Sequence, residues 1–235
     1  MWDPQWDEYP HGRRVLRLDL RGFGRSPLTP GPFSNASDLI TVLEKHVFER
    51  PALVGNSLGG RVVMEVAVAR PDLAGAIVLV APGLPGHDWS SDVMASWDEE
   101  EQALERGDID AAVEVNLRTW VDGPHRAPED VDPDVRRRVG EMQRRAFELQ
   151  LPVEAEEDLL VPDLAKRVGE IDAPTLVVVG EQDVPDMHAI ADRLAREIPG
   201  ARRATIAQAA HVPSLERPLE FDEVVLPFLG EVEAD

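Results

Sequence analysis

The sequence predicts an α/β protein with a mostly parallel sheet, and three observations indicate this fold class. Short apolar strands alternate with helical segments of about 10 to 15 residues, which is typical of βαβ units. Residues 82–169 interrupt that alternation with charged, helical sequence. The length of 235 residues suits one α/β domain with an inserted lobe. We therefore predict a core formed by residues 1–81 and 170–235, with residues 82–169 as a helical lid.

The amino-terminal part predicts one helix and one strand before the central motif. Trp2, Trp6 and Tyr9 recur at spacings that place them on one face of a helix. Arg14–Leu20 alternates and is rich in aliphatic residues, which predicts a strand. A loop rich in Pro and Gly follows, and a helix is expected to start near Ser34 to Ser37 and to end near Phe48.

The stretch around Ser57 has the context of a nucleophile elbow. Ala52–Val54 predicts a short buried strand, Gly55-Asn56-Ser57-Leu58-Gly59 follows, and a helix is expected from Leu58 to about Ala69. A serine held out on such a turn leaves little space beside it. We therefore expect Gly55 and Gly59 to lie where backbones approach closely. The start of the helix would direct free N–H groups at the serine oxygen.

The remaining elements follow the same alternation, except in residues 82–169. We predict strands at Ala76–Val80, at Pro174–Gly180 and at Arg203–Ile206, with a final helix that carries Leu219, Phe221, Val224 and Phe228. Within the 82–169 stretch, helices are predicted at 96–106, from Asp108 or Asp110 to Trp120, and at 133–149.

Composition excludes several classes of function. The 45 acidic residues exceed the 24 basic ones and give a formal charge of −21, which argues against nucleic acid and anionic membranes as partners. The absence of Cys excludes disulfides and thiolate catalysis. No apolar run approaches the length of a membrane span. The expectation is a cytoplasmic protein.

Three residues in the right order could form a catalytic triad. A serine hydroxyl needs a base beside it, and an acid must orient that base. Asp183 lies three residues after Gly180, and His211 follows the last predicted strand. Both would lie with Ser57 at the carboxyl ends of parallel strands, where sites of α/β sheets form. Asp186 is the rival acid, although capping of the next helix would explain it.

These stretches resemble the α/β-hydrolase superfamily, and the match covers most of the chain. The segments that carry it are Asp19-Leu20-Arg21-Gly22-Phe23-Gly24-Arg25-Ser26, Gly55–Gly60, Gly180-Glu181-Gln182-Asp183 and Ala210-His211-Val212-Pro213. The resemblance implies an α/β-hydrolase fold, with Ser57 as nucleophile, His211 as base and Asp183 as orienting acid. It also implies that the Leu58 N–H is one of two oxyanion donors. Within the superfamily, the chain resembles lid-bearing esterases, enol-lactone hydrolases and related small-molecule hydrolases.

One part of the family pattern has no counterpart in this sequence. The second oxyanion donor of the family comes from a loop after an earlier central strand, upstream of a helix like 1–9. His11-Gly12 is not a substitute, because it follows that helix. The resemblance thus implies that the N-terminal strands are absent and that Met1 is an internal residue of a longer protein. Without the second donor, the reaction would be about 100- to 1000-fold slower.

The leading prediction is a serine hydrolase that cleaves a small-molecule carboxylic ester or lactone through an acyl-enzyme. The alternatives are C–C, amide or perhydrolase chemistry with the same triad, or a non-catalytic ligand-binding protein on this fold. We predict no cofactor and no metal, and the sequence does not indicate an oligomeric state. Residues that could line the pocket are Arg21, Trp97, Trp120 and His125. Each also has a structural explanation: a surface ion pair, the core of the lid, or an exposed loop.

Overall fold

The structure is a computed structural model that describes residues 1–9 and 13–234, with side chains described through residue 232. Its α-helices are α1 (Asp3–Glu8), α2 (Asn35–Lys45), α3 (Leu58–Ala69), α4 (Ser91–Glu105), α5 (Ile109–Asn116), α6 (Pro133–Gln150), α7 (Leu164–Arg167), α8 (Pro185–Glu197), α9 (Pro213–Glu216) and α10 (Pro218–Ala234). Its strands are β1 (Gly31–Phe33), β2 (Ala52–Asn56), β3 (Ala76–Val80), β4 (Ala155–Glu157), β5 (Thr175–Gly180) and β6 (Arg202–Ile206). Residues 117–122 form a π-helical turn, and 3₁₀ turns occupy 71–73, 128–130 and 168–170.

The main sheet has four parallel strands in the order β2-β3-β5-β6. Its register aligns Val54 with Val78, Val78 with Leu176, and Val178 with Ala204. Every residue of β3 and β5 is buried. A parallel strand covered on both faces reads as a continuous apolar run, which is why these two strands were predictable from sequence.

Alternate residues of the central strands face two separate cores. Ile77 and Leu79 of β3 pack with α3 and α8 on one face of the sheet. Val78 and Val80 pack on the other face, against Phe221 and its neighbours on α10. The fold class predicted from sequence, a parallel sheet with helices on both faces, is confirmed.

The first helix docks onto α10 through two of its three aromatic residues. The Trp2 ring lies 6.1 Å from the Phe221 ring, and the Tyr9 hydroxyl donates to Asp222 at 3.1 Å. Burial raises the pKa of Asp222, although Tyr9 donates a hydrogen bond to it. Trp6 instead lies under the Arg17 guanidinium at 4.6 Å. Two of the three aromatic residues predicted on one helical face thus meet the last helix of the chain, whereas Trp6 is 38% exposed.

The predicted strand at Arg14–Leu20 is wrong: this segment has no regular secondary structure and belongs to no sheet of the described residues. Val15 packs against the core, whereas Leu16 and Leu18 are 38% and 39% exposed. Among the residues that the structure describes, β2 pairs only with β3. A strand needs a hydrogen-bonding partner as well as alternation, and no described strand pairs with this segment.

The 82–169 stretch is mostly helical, as expected, but it contains one strand that was not predicted. Strand β4 pairs in parallel with β1, with Gly31 opposite Ala155. Helices α5 and α6 and the π turn share an apolar cluster that includes Val113 and Phe147. Val161 and Leu164 pack instead into the core beside α3 and α8. The division into a core and a lid stays a prediction.

A buried ionic network joins α3 to the end of the 82–169 stretch. Arg61 donates to Glu65 at 2.5 Å and to Glu157 at 2.6 Å. The other Glu65 oxygen accepts the N–H groups of Leu160 and Val161 at 2.7 and 3.2 Å. Burial raises the pKa of Glu65, and the Arg61 charge opposes that rise. The helix that follows Ser57 is thereby fixed to the chain that returns to β5.

We expect Leu79→Ala to lower the free energy of unfolding by about 2 to 5 kcal/mol, because a fully buried side chain would leave a cavity. Leu219→Ala is the matched control, because Leu219 is 74% exposed, and we expect a change within about 0.5 kcal/mol. Urea denaturation followed by circular dichroism measures both. Equal losses in the two variants would contradict the two-sided core described above.

Candidate active site

Ser57 lies on a strained turn between β2 and α3. Its backbone has φ 53° and ψ −114°, a conformation that residues other than glycine rarely adopt. The Ser57 N–H donates to the Val80 carbonyl at 2.9 Å, which ties the turn to the end of β3. The strand, turn and helix that the motif predicts are therefore present, and α3 begins and ends at the predicted residues.

The expected role of the glycines is correct for Gly55 and wrong for Gly59. A Cβ on Gly55 would stand 2.2 Å from the Gly59 carbonyl oxygen, so only glycine fits there. A Cβ on Gly59 would meet no atom within 4 Å. The close approach is made by Gly60 instead, where a Cβ would stand 2.6 Å from the Pro82 Cβ. The spacing of the motif did not distinguish Gly59 from Gly60. The two residues are neighbours at the start of α3, so a Cβ on each would point in a different direction around the helix.

Asp183 and His211 form a buried pair in the loops that follow β5 and β6. The His211 Nδ1 lies 2.9 Å from the Asp183 Oδ2, and the Val184 N–H donates to the other carboxylate oxygen at 2.9 Å. The two residues are 3% and 8% exposed. Gly180 allows the loops to meet, because a Cβ there would stand 2.0 Å from the Ala210 carbonyl oxygen.

Asn56 connects the elbow to the loop of His211, a role that sequence analysis missed. Its Nδ2 donates to the Val80 carbonyl and to the His211 carbonyl, both at 3.2 Å. The variable position of the motif carried no signal for this contact. Asn56 is adjacent to Ser57, so this contact connects the elbow to the backbone of His211. Within the described residues, the Ser57 hydroxyl makes no hydrogen bond to the His211 imidazole. Such bonds are often long before substrate binds.

Leu58 is the first residue of α3, directly after Ser57. The first N–H groups of a helix have no partner inside it, and they carry the positive end of its dipole. The Leu58 N–H thus has the position expected of an oxyanion donor. His11 and Gly12, which we excluded as the source of a second donor, lie outside the described residues.

Trp120 contacts the candidate base from the 82–169 stretch. Its ring centroid lies 4.6 Å from that of His211, and its carbonyl accepts the His211 N–H at 3.1 Å. The residue belongs to the π-helical turn 117–122, and such turns are frequent at functional sites. Of the four conceivable pocket residues, Trp120 is the one in direct contact with His211.

The other three conceivable pocket residues have structural surroundings. Arg21 donates to both oxygens of Asp38, one of them at 2.8 Å, which fits the ion-pair explanation. Trp97 packs edge-on against Trp89, with ring centroids 5.0 Å apart. His125 is exposed.

Asp186, the rival acid, is engaged elsewhere. It accepts the Ser90 N–H and the Ser90 hydroxyl, each at 2.7 Å, and lies 3.3 Å from the His87 ring. Burial opposes its ionisation, but the hydrogen bonds from Ser90 outweigh this effect and lower the pKa of Asp186. Capping of its own helix does not explain it, because Val184 is the N-cap of α8 and has no side-chain cap bond. Asp186 holds the start of α4.

The family follows from comparison with known proteins. The model of the alpha/beta hydrolase family matches residues 1–224. The chain belongs to this family. It is 29% identical to a 2-hydroxy-6-oxononadienedioate/2-hydroxy-6-oxononatrienedioate hydrolase of Cupriavidus pinatubonensis, over 93% of this chain and 77% of the relative.

This alpha/beta hydrolase also resembles two proteins that are named for an ester and for a lactone. It is 26% identical to a pimeloyl-[acyl-carrier protein] methyl ester esterase of Aeromonas hydrophila, over 92% of this chain and 85% of the relative. The solved structure of Est816, an N-acyl homoserine lactone degrading enzyme, superimposes with a TM-score of 0.76 at 26% identity. That match covers 97% of this chain and 87% of the solved one.

The described residues show neither a metal-binding cluster nor a membrane-spanning helix. They contain no cluster of three or more His, Asp or Glu side chains that could hold a metal ion. The helices in the same residues are all too short or too polar to cross a bilayer.

The two glycines of the elbow give a matched test. We expect Gly55→Ala to lower the free energy of unfolding by more than about 2 kcal/mol, because its Cβ would collide with backbone that cannot move aside. Gly59→Ala should be neutral or stabilising by up to about 1 kcal/mol, because alanine favours a helix. Chemical denaturation measures both. A Gly59→Ala loss as large as that of Gly55→Ala would contradict the geometry.

Proposed function

We propose that this alpha/beta hydrolase cleaves a small-molecule carboxylic ester or lactone through an acyl-enzyme. The observation that carries the proposal is the buried contact of 2.9 Å between Asp183 and the His211 ring, which lies at the same carboxyl end of the sheet as the strained turn of Ser57. A serine hydroxyl is a weak nucleophile at neutral pH and needs this kind of base. A histidine and a carboxylate that are buried together at the carboxyl ends of neighbouring strands have the arrangement that such a base requires.

The proposed first step is acylation. The His211 Nδ1–H donates to Asp183, which leaves Nε2 as the acceptor that takes the proton of Ser57. The Ser57 oxygen attacks the carbonyl carbon, and the carbonyl oxygen becomes an oxyanion. The bond between the carbonyl carbon and the alcohol oxygen of the ester then breaks, and His211 passes the proton to that alcohol oxygen. The Asn56 contacts keep the turn and the His211 loop in register during this exchange.

The proposed second step is hydrolysis of the acyl-enzyme. His211 takes a proton from water, the water oxygen attacks the acyl carbon, and the Ser57 oxygen leaves with that proton. The Leu58 N–H stabilises the oxyanion of both steps, because it lies at the amino terminus of α3. A lactone follows the same route, except that its alcohol stays attached to the acid that is released.

Two of the three proteins named above support this substrate class. The Aeromonas esterase is named for a methyl ester and Est816 for a lactone. A methyl ester and a lactone are both oxygen esters of carboxylic acids, so the proposed steps apply to each of them. We also propose that the 82–169 stretch acts as the lid, since its residue Trp120 covers one side of His211. We further propose that the protein is cytoplasmic.

The first test is covalent labelling with a fluorophosphonate probe. We expect the wild type to be labelled, and Ser57→Ala to lose both the label and the hydrolysis of a chromogenic short-chain ester. Ser91→Ala is the control, because Ser91 is an exposed residue of α4. Labelling that persists in Ser57→Ala would exclude Ser57 as the nucleophile.

The second test concerns the acid. We expect Asp183→Asn to lower kcat by about 10⁴-fold, because the amide no longer favours the His211 tautomer that leaves Nε2 unprotonated. Asp186→Asn is the comparison that separates the two acids. It should retain far more activity, because its carboxylate binds Ser90 and not His211. A larger loss in Asp186→Asn than in Asp183→Asn would reverse the assignment.

A further inference from the structure

Arg126 follows the π-helical turn, and its guanidinium donates four hydrogen bonds to surrounding groups. Its Nε donates to the Asp122 carbonyl at 2.9 Å, and its Nη2 donates to the Val121 carbonyl at 2.5 Å. The Nη1 donates to the Gln208 carbonyl at 2.8 Å, and Nη2 also donates to the Glu216 carboxylate at 2.8 Å. The side chain is only 12% exposed. The guanidinium therefore joins two parts of the chain that are far apart in sequence.

Both ends of the His211 loop are held by these contacts. Gln208 lies three residues before His211, and Glu216 lies in α9 just after it. The second Glu216 oxygen accepts the Ala210 N–H at 2.8 Å. Burial raises the pKa of Glu216, and the Arg126 charge opposes that rise. Arg126 and Glu216 thus form a bracket around the backbone that presents the imidazole.

The other side of the bracket is itself rigid. Asp122 is buried and accepts two hydrogen bonds from Arg136 of α6, at 3.0 and 3.1 Å. Gly123 lies so close to the Asp183 loop that a Cβ on it would stand 2.2 Å from the Gln182 carbonyl oxygen. The segment 120–126 therefore contacts the loops of both the acid and the base. Its position is fixed by a helix of the 82–169 stretch.

We propose that Arg126 is a positioning residue that holds His211 against Asp183 by joining the 82–169 stretch to the His211 loop. The proposal rests on the function proposed above. A planar guanidinium can satisfy four acceptors in fixed directions, whereas a lysine ammonium offers a single point of charge with three donors. The geometry of the side chain, and not its charge alone, maintains the base.

Kinetics of three variants test the proposal. We expect Arg126→Gln and Arg126→Lys each to lower kcat about 10- to 100-fold with KM nearly unchanged, because a small displacement of the base slows chemistry without weakening binding. Arg137→Gln is the control, because Arg137 is an exposed lid arginine with two carboxylate partners, Asp134 and Glu141. It should keep the wild-type kcat. A lysine variant with wild-type kcat would overturn the proposal, since charge alone would then suffice.

Hydrogen exchange provides a readout that does not depend on activity. We expect faster exchange in the peptide that covers residues 207–212 in both Arg126 variants, since the His211 N–H bond to Trp120 would open more often. The central strands β3 and β5 should exchange as in the wild type. Unchanged protection of 207–212 would overturn the proposal. If the glutamine variant does not fold, the lysine variant carries the same two measurements.

The outcomes separate this proposal from the function it rests on. A wild type that neither reacts with the fluorophosphonate nor hydrolyses esters would refute the proposed function. Hydrogen exchange would still decide whether Arg126 holds the loop. If the wild type is labelled and both Arg126 variants keep the wild-type kcat, the proposed function stands and only the proposed role of Arg126 is refuted.

Discussion

The carboxyl end of β3 is the point on which the site depends. The Val80 carbonyl accepts the Ser57 N–H and the Asn56 amide, so one oxygen fixes both the strained residue and its neighbour. Asn56 passes the constraint on to the His211 backbone. The parallel register of β3 with β5 then sets where the Asp183 loop begins. A left-handed backbone at Ser57 costs free energy, and it persists because the neighbouring strands leave it no alternative.

Sequence predicted the parts of the molecule in which local pattern and burial coincide. β3 and α3 begin and end as expected, because a fully buried strand and a helix after an elbow both leave continuous apolar signals. Arg14–Leu20 shows the limit of such reasoning. Two of its alternating apolar residues, Leu16 and Leu18, are exposed, and a strand also needs a partner that the pattern does not contain. The position of Asp183 was predictable for the same reason as β3, because Asp183 follows the fully buried strand β5. His211 follows β6, in which only Ile206 is buried, so the apolar signal before it is weaker.

The contacts that complete the site were beyond prediction because they join distant segments. Asn56 and Arg126 have no periodic or spacing signal, and each acts on backbone carbonyls, which every residue carries. Two of the buried charges, Arg61 and Arg126, pair with carboxylates and at the same time fix segments far apart in sequence. Buried ion pairs contribute little net stability, since desolvation offsets their attraction. Their value here lies in where they hold the chain.

The pairing of β3 with β5 has a consequence for the order in which the protein forms. The two strands are adjacent in the sheet, yet the whole 82–169 stretch lies between them in sequence. Closing so long a loop costs entropy before the ladder returns any free energy. The ladder between β3 and β5 can form only after the whole 82–169 stretch and β5 have been synthesised. Asp183 and His211 follow β5 and β6, so the candidate site can come together only after most of the chain has been synthesised.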